Sequence, residues 1–148
     1  MTETGGPYVQ AAVLCEKVLQ EKDGVLSIIR IIDTINITAS GMTAPDEMPA
    51  GQINLPAVVS LKAGMLTGKY EIEIVPVTPS GKKMHGVTVS AYFEGNDRGV
   101  NVVLNMNLLV KEEGVFWFEV SVHDQLLTRI PLRVVYQRLT HSGSEPSS

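Results

Sequence analysis

The chain has 148 residues, of which 44% are hydrophobic and 19% charged, a composition that favours one globular domain with an apolar core. Its net charge of -4 argues against duplex nucleic-acid binding, which needs a basic surface, and no apolar run reaches the roughly 18 residues of a membrane span. The single cysteine excludes an internal disulfide, and the N-terminus lacks signal-peptide features, so we expect a cytoplasmic protein.

The first strand predictions come from the N-terminal third of the chain. Residues 1–7 are small and polar and are predicted to be disordered. From residue 8 to residue 20 apolar and polar side chains alternate, which predicts a strand, although EKVLQEK keeps a helix as the rival. Residues 25–38 are rich in isoleucine on both faces. We therefore predict a central strand covered on both sides, or one that contributes to an interface.

Residues 39–52 form the one long loop of the prediction. Loops of this length inside a compact domain are often functional or mobile. Met42 and Met48 lie in this loop and can offer an adaptable contact surface. The competing interpretation is that both side chains tuck over an open end of the fold.

Further alternating runs follow, separated by glycine, proline and asparagine. They cover residues 53–61, 70–74, 87–93 and 100–110. The last predicted element is a β-hairpin over residues 114–137, with its turn at Asp124 and Gln125. Pro131 cannot donate a ladder hydrogen bond, so it predicts an open edge or a bulge near the middle of the second arm. Residues 139–148 form a polar tail that is predicted to be disordered.

About eight strands at regular spacing, with no helical periodicity, predict an all-β fold. We expect a single antiparallel β-sandwich over residues 8–138, either immunoglobulin-like or C2-like.

Catalytic patterns are missing from the sequence. Cys15 has no motif around it and is expected to be a small core residue. Neither a nucleophile elbow nor a phosphate-binding loop is present, and the histidines are scattered. We therefore predict no enzyme activity, no cofactor and no metal site. An unrecognised hydrolase would need a pocket in which His, Asp and Ser side chains converge.

Several side chains are candidates for an interface instead. Arg129 and Arg133 are charges embedded in a β-prone run, and Trp117 is the only tryptophan. Tryptophan and arginine are enriched among energetic hot spots of protein interfaces. Trp117 lies opposite the Phe116/Phe118 face, so it faces either solvent or a second sheet. The candidate interface residues are Met42, Met48, Trp117, Arg129 and Arg133.

Several segments together resemble a family of short, uncharacterised bacterial β-sandwich proteins, a domain of unknown function. They are CEKVLQEKDGVLSIIRIID, PDEMPAGQINLPAVVSLKAG, YEIEIVPVTPSGK, FEGNDRGVNVVL and EEGVFWFEVSVHDQLLTRIPLRVVYQ, of which LTRIPLRV is the most specific. The resemblance covers most of residues 11–137. It implies a bacterial, cytoplasmic, stand-alone domain, and it carries over no catalytic or binding residue.

These observations favour a non-enzymatic protein-interaction or assembly module, as a homo-oligomer or in complex with an unidentified protein. The alternative is a sandwich that binds a small ligand or calcium through its end loops, where Glu94, Asn96 and Asp97 are the nearest approach to a cluster of oxygen ligands.

Overall fold

The computed structural model describes residues 5–41 and 45–139, which form β-strands and connecting segments. The strands are β1 Tyr8–Gln20, β2 Leu26–Ile31, β3 Thr34–Ser40, β4 Gly51–Val77, β5 Val87–Val110, β6 Gly114–Val122 and β7 Gln125–Leu139. The all-β prediction is confirmed. Within the described part of the chain there is no helix of the length and apolarity that a membrane crossing requires.

The strands pair in the order β2-β1-β4-β6-β7-β3, and β5 pairs with β4 beside this path. Every pair is antiparallel except β3 and β7, which run parallel from Thr34 opposite Arg133 to Ser40 opposite Leu139. The prediction of a wholly antiparallel fold is therefore wrong at this pair. A parallel pair forms here because the chain crosses over at Ile32–Asp33 and returns to the far edge of the sheet, where the main-chain N–H of Arg133 donates to the carbonyl of Asp33.

The long strands β4 and β5 bend together near Gly64. The β4–β5 register shifts between Lys62 and Gly64 and again between Gly64 and Thr67. Before the bend β4 pairs with β1, and after it with β6. We call residues 51–62 of β4 with β1, β2 and residues 99–110 of β5 the first half of the sheet. The second half is the remainder of β4 and β5 with β3, β6 and β7.

Alternation of side chains puts the apolar face of each half into one core. Leu55, Val59 and Leu104 from the first half belong to the same buried cluster as Ile72 and Phe118 from the second. Residues two apart on a strand share a face, so the intervening polar residues are left on the outside. The described residues contain no buried polar or charged side chain.

The strand count differs from the prediction for a physical reason. The described residues form seven strands instead of about eight, because the runs 53–61 and 70–74 join across the Gly64 bend into β4. The runs 87–93 and 100–110 join in the same way into β5, while residues 25–38 divide into β2 and β3. A glycine between two alternating runs is compatible with both a chain reversal and a bend in one strand.

The predicted terminal segments lie only partly within the described residues. Of residues 1–7, the structure describes Gly5, Gly6 and a buried Pro7, and the carbonyl of Gly5 accepts a hydrogen bond from the main-chain N–H of Met65. Leu139 ends β7. Residues 1–4 and 140–148 are outside the described part.

Candidate functional site

Trp117 lies on the outer face of the second half of the sheet. Its neighbours Phe116 and Phe118 are buried in the core, so strand alternation turns the indole to the opposite face. The side chain is 38% exposed. The sequence left open whether Trp117 faces solvent or a second sheet, and the structure places it at the surface. More than half of the side chain is nevertheless covered by the protein.

The apolar neighbours of Trp117 come from the two flanking strands. In β4 its partner is Val77, and in β7 its partner is Pro131. Directly opposite residues of antiparallel strands lie close enough for their side chains to touch. A row of three apolar side chains therefore crosses the outer face.

Two arginines flank this row on β7. The guanidinium carbon of Arg129 lies 5.6 Å from the centre of the Trp117 ring, a cation–π distance, and its Nε lies 3.6 Å from Oε2 of Glu119. Arg133 follows two residues after Pro131 on the same face and lines a shallow pocket with Asp33 and Thr34. We call Val77, Trp117, Arg129, Pro131 and Arg133 the Trp117 surface.

Of the predicted interface residues, the structure thus brings together Trp117, Arg129 and Arg133. Met48 lies elsewhere: it is half-buried and packs against the core. Met42 lies outside the described residues. The loop that carries Met48 is tied to β7, because Oη of Tyr136 donates to the carbonyl of Pro45 (2.7 Å) and Arg138 forms an ion pair with Asp46.

The prediction of a central, covered strand at residues 25–38 is wrong, as strand β2 shows. It ends the strand order, and Val25, Ile29 and Ile31 are 57%, 37% and 65% exposed. Strand β3 ends the order on the opposite side. High β-propensity on both faces predicts a strand but cannot place it within a sheet, because burial also depends on the long-range pairing. The interface alternative for this stretch stays a prediction.

A groove lies between the tip of the β1–β2 hairpin and the outer face of the first half. Its volume is about 390 Å³, and its lining includes Val25, Leu26 and Ile28. On its floor the Ser60 hydroxyl lies 2.6 Å from the Asn101 side-chain oxygen and 3.3 Å from that of Gln10. One hydroxyl proton cannot serve two acceptors, so one of the two amides is better placed with its NH₂ toward Ser60. We call this the hairpin groove, which sequence periodicity gave no means to find.

A second pocket, of about 350 Å³, contains the residue types that a hydrolase needs. Ser121, His123 and Asp124 line it together with Glu71 and Lys69. The His123 ring packs edge-on against Tyr70, with 5.3 Å between ring centres. Among the residues that the structure describes, no hydrogen bond joins the side chains of Ser121, His123 and Asp124.

The remaining site candidates are isolated. Cys15 is completely buried, and this desolvation raises the pKa of its thiol above the usual value, while a backbone hydrogen bond at Lys17 acts in the opposite direction. Glu94 forms an ion pair with Arg98 at 2.9 Å. Among residues 5–41 and 45–139, no three His, Cys, Asp or Glu side chains are grouped as metal ligands would be.

A family model of unknown function, DUF6941, matches residues 10–135 of the sequence. The chain belongs to this family. The matched residues include most of β1, the whole of β2, β4 and β5, and all residues of the Trp117 surface. The resemblance drawn from the sequence segments, to an uncharacterised family, is confirmed at this level.

No functionally curated protein matches the chain. Among solved structures, the chain is similar to an immunoglobulin-like protein from Pseudomonas aeruginosa. That likeness has 11% sequence identity and a TM-score of 0.40, and it covers 87% of this chain and 96% of the other.

Proposed function

We propose that this protein is a non-enzymatic protein-interaction module that binds a partner through the Trp117 surface. The observation that supports it most is the convergence of Trp117, Arg129 and Arg133, which come from both arms of one hairpin, on one outer face. Tryptophan and arginine dominate the binding energy of many interfaces.

The Trp117 surface is pre-organised for contact. Trp117 is held between Val77 and Pro131, and Arg129 lies over its ring while Glu119 orients the guanidinium. A side chain that is already fixed loses less conformational entropy on binding. An apolar group of the partner can therefore cover the exposed part of the indole at a small entropic cost.

The charge of the surface indicates the chemistry of the partner. The exposed Arg133 side chain has no carboxylate oxygen within 4.0 Å among the described residues, whereas Arg129 has Glu119. A guanidinium in a partly apolar setting is suited to a bidentate bond with a carboxylate. The partner we propose is a protein segment that offers an acidic residue next to an apolar or aromatic one.

Site-specific photo-crosslinking in the native host tests this function. A benzophenone amino acid at Val115, which pairs with Arg133 beside the Trp117 surface, should yield an adduct of defined mass, and the same group at Tyr92, an aromatic residue at 67% exposure, should not yield it. Arg133→Glu should abolish the adduct by repelling the acidic partner. Identical adducts at both positions, or an adduct that tolerates Arg133→Glu, would contradict the proposal.

The architecture we propose for the module is a β-sandwich whose layers are the two halves of the bent sheet. Its support is the single core that takes side chains from both halves. A bacterial cytoplasmic location is part of the same proposal, because a lone buried thiol suits a reducing compartment.

The alternative function, small-ligand binding, is supported by the hairpin groove. A volume of about 390 Å³ with apolar walls and a polar floor resembles pockets for small molecules. Anilinonaphthalene sulfonate should then fluoresce with the native protein, and Ala11→Phe, which fills the groove, should remove the signal. An unchanged signal in that variant would exclude the groove. Calcium binding through the end loops is tested by thermal unfolding. An unchanged melting temperature at millimolar calcium would exclude it.

A further inference from the structure

The second part of β5 is an exposed sheet edge. Strand β5 pairs with β4 alone among the described strands, so the other side of residues 99–110 offers unpaired main-chain N–H and C=O groups. Leu104, Met106, Leu108 and Val110 point into the core. The outer face carries, in order, Asn101, Val103, Asn105, Asn107 and Leu109, of which Val103 is 41% and Leu109 is 49% exposed.

This edge lacks the devices by which proteins discourage strand pairing. Residues 99–110 contain neither a charged residue nor a proline. The exposed strand β2 differs, because Arg30 interrupts it with a left-handed φ of 59° and an ion pair to Glu16 at 2.6 Å. A long, regular and uncharged edge serves as a template for another strand.

We propose that residues 99–110 pair antiparallel with the same residues of a second copy of this chain, about a two-fold axis at Met106. On the outer face this register sets Val103 opposite Leu109 of the second copy, and Asn105 opposite Asn107 of the second copy. On the inner face Met106 meets its own symmetry mate. Apolar side chains thus pair with apolar ones and amides with amides.

Other registers are less complementary. An axis at Asn105 sets Val103 opposite Asn107, and an axis at Asn107 sets Asn105 opposite Leu109. An axis between two residues would pair inner side chains with outer ones and expose the apolar face of one strand. The axis at Met106 is therefore the one that sets both exposed apolar side chains, Val103 and Leu109, opposite an apolar partner.

The two ends of the edge carry charges of both signs. Asp97 and Arg98 precede the edge, and Lys111, Glu112 and Glu113 follow it. The end charges therefore do not oppose antiparallel pairing, and the side chains of the edge itself set the register. Both copies contribute the same surface, as a closed two-fold dimer requires, and the first halves join into one continuous sheet.

The dimer does not depend on the proposed partner at the Trp117 surface, which lies on the second half of the sheet. A monomeric protein that still gives the photo-crosslinked adduct at the Trp117 surface would overturn the dimer alone. A dimer without that adduct would overturn the partner alone.

Light scattering of the purified full chain tests the assembly. The expected mass is twice the chain mass of 16.1 kDa. Val103→Lys replaces the apolar contact with Leu109 of the second copy by a charged side chain, of the kind that discourages edge pairing, and should raise the dimer dissociation constant about 10-fold. Val25→Lys, at an exposed position directly before β2, should leave the dimer intact, and far-UV circular dichroism should show both variants folded. A monomeric wild-type protein, or a dimer that is insensitive to Val103→Lys, would refute the proposal.

Disulfide trapping tests the register. In a Cys15→Ala background, chains with Asn105→Cys and differently tagged chains with Asn107→Cys are prepared separately and mixed under mild oxidation. Only directly opposite side chains are close enough to form a disulfide. The Met106 axis predicts a crosslink between the two kinds of chain. Crosslinks within either single variant, or none in the mixture, would contradict it.

Discussion

At the residue scale, the turn between β6 and β7 contains avoidable strain. His123 and Asp124 have φ angles of 51° and 64°, and Val122 pairs with Gln125 across them. These are the signs of a two-residue type I′ turn, in which glycine is favoured at the second position. We expect Asp124→Gly to raise the free energy of unfolding by about 0.5–1 kcal/mol, measured by urea denaturation.

A matched control for this turn exists on β5. Asp97 is an exposed aspartate whose φ does not lie in the left-handed region. Asp97→Gly removes the same side chain but adds only backbone freedom to the unfolded chain, so it should lower the stability by about 0.5–1 kcal/mol. Equal effects of the two substitutions would show that the turn is not strained.

Burial should make Cys15 unreactive. The thiol is 0% exposed, its Sγ lies 3.8 Å from the carbonyl oxygen of Pro56, and its pKa is raised by desolvation. Thiolates, not thiols, attack disulfide reagents. We expect Ellman's reagent to label the native protein only at the rate of unfolding and to label the protein in urea at once. Rapid labelling without denaturant would show that the core opens near β1.

The same raised pKa predicts a dependence of stability on pH. Above about pH 8.5, the usual range of an exposed thiol, the unfolded chain loses a proton that the folded chain retains. The unfolded state then binds fewer protons, so Cys15 makes the free energy of unfolding fall as the pH rises. Stability measured between neutral and alkaline pH should fall more steeply in the wild type than in Cys15→Ala. Parallel curves would contradict this assignment.

At the scale of elements, Gly64 makes the bend of β4 possible. Its φ is 63°, and a Cβ there would collide with the carbonyl oxygen of Gly5 and lie 2.9 Å from the Tyr8 ring. Gly64→Ala should cost at least about 1–2 kcal/mol from the backbone conformation alone, and more from the collision. Gly24→Ala is the control, because Gly24 has a φ of 88° with nothing within 4 Å. Similar losses of stability would mean that the collision is relieved without cost.

Pro131 shows how far sequence reasoning reaches within one strand. The sequence predicted an open edge or a bulge there. In the structure β3 begins to pair with β7 only at Arg133, so the side of β7 away from β6 has no strand partner at Pro131. The register shift in this hairpin lies instead between Val120 and Ser121. A missing N–H is a local property, and its consequence was predictable from one residue.

The hairpin turn and the stretch 25–38 show where sequence reasoning ends. The turn was predicted at Asp124 and Gln125 and lies one residue earlier, because the favoured glycine and asparagine signals are absent. Residues 25–38 have strong β-propensity throughout, yet they leave the sheet at Ile32–Asp33 and form its two opposite ends. Which strands become edges is decided by pairings between distant residues, and propensity does not encode these.

At the scale of the molecule, one candidate surface was partly predictable from the sequence and the other was not. Trp117, Arg129 and Arg133 were identifiable as residues because their chemistry is unusual for a strand, although their meeting on one face needed the register of β6 and β7. The free edge at residues 99–110 was invisible in the sequence. Its alternation is that of an ordinary strand, and only the strand order shows that one side is unpaired.

The shared core implies that both halves of the bent sheet unfold together. Leu104 in the first half and Phe118 in the second are nearly fully buried in one cluster. Leu104→Ala should therefore lower the free energy of unfolding by about 2–5 kcal/mol and shift two signals equally. One is Trp117 fluorescence, which reports on the second half, and the other is far-UV circular dichroism, which reports on all strands. If the fluorescence transition stayed in place while the dichroism transition moved, the halves would be independent folding units.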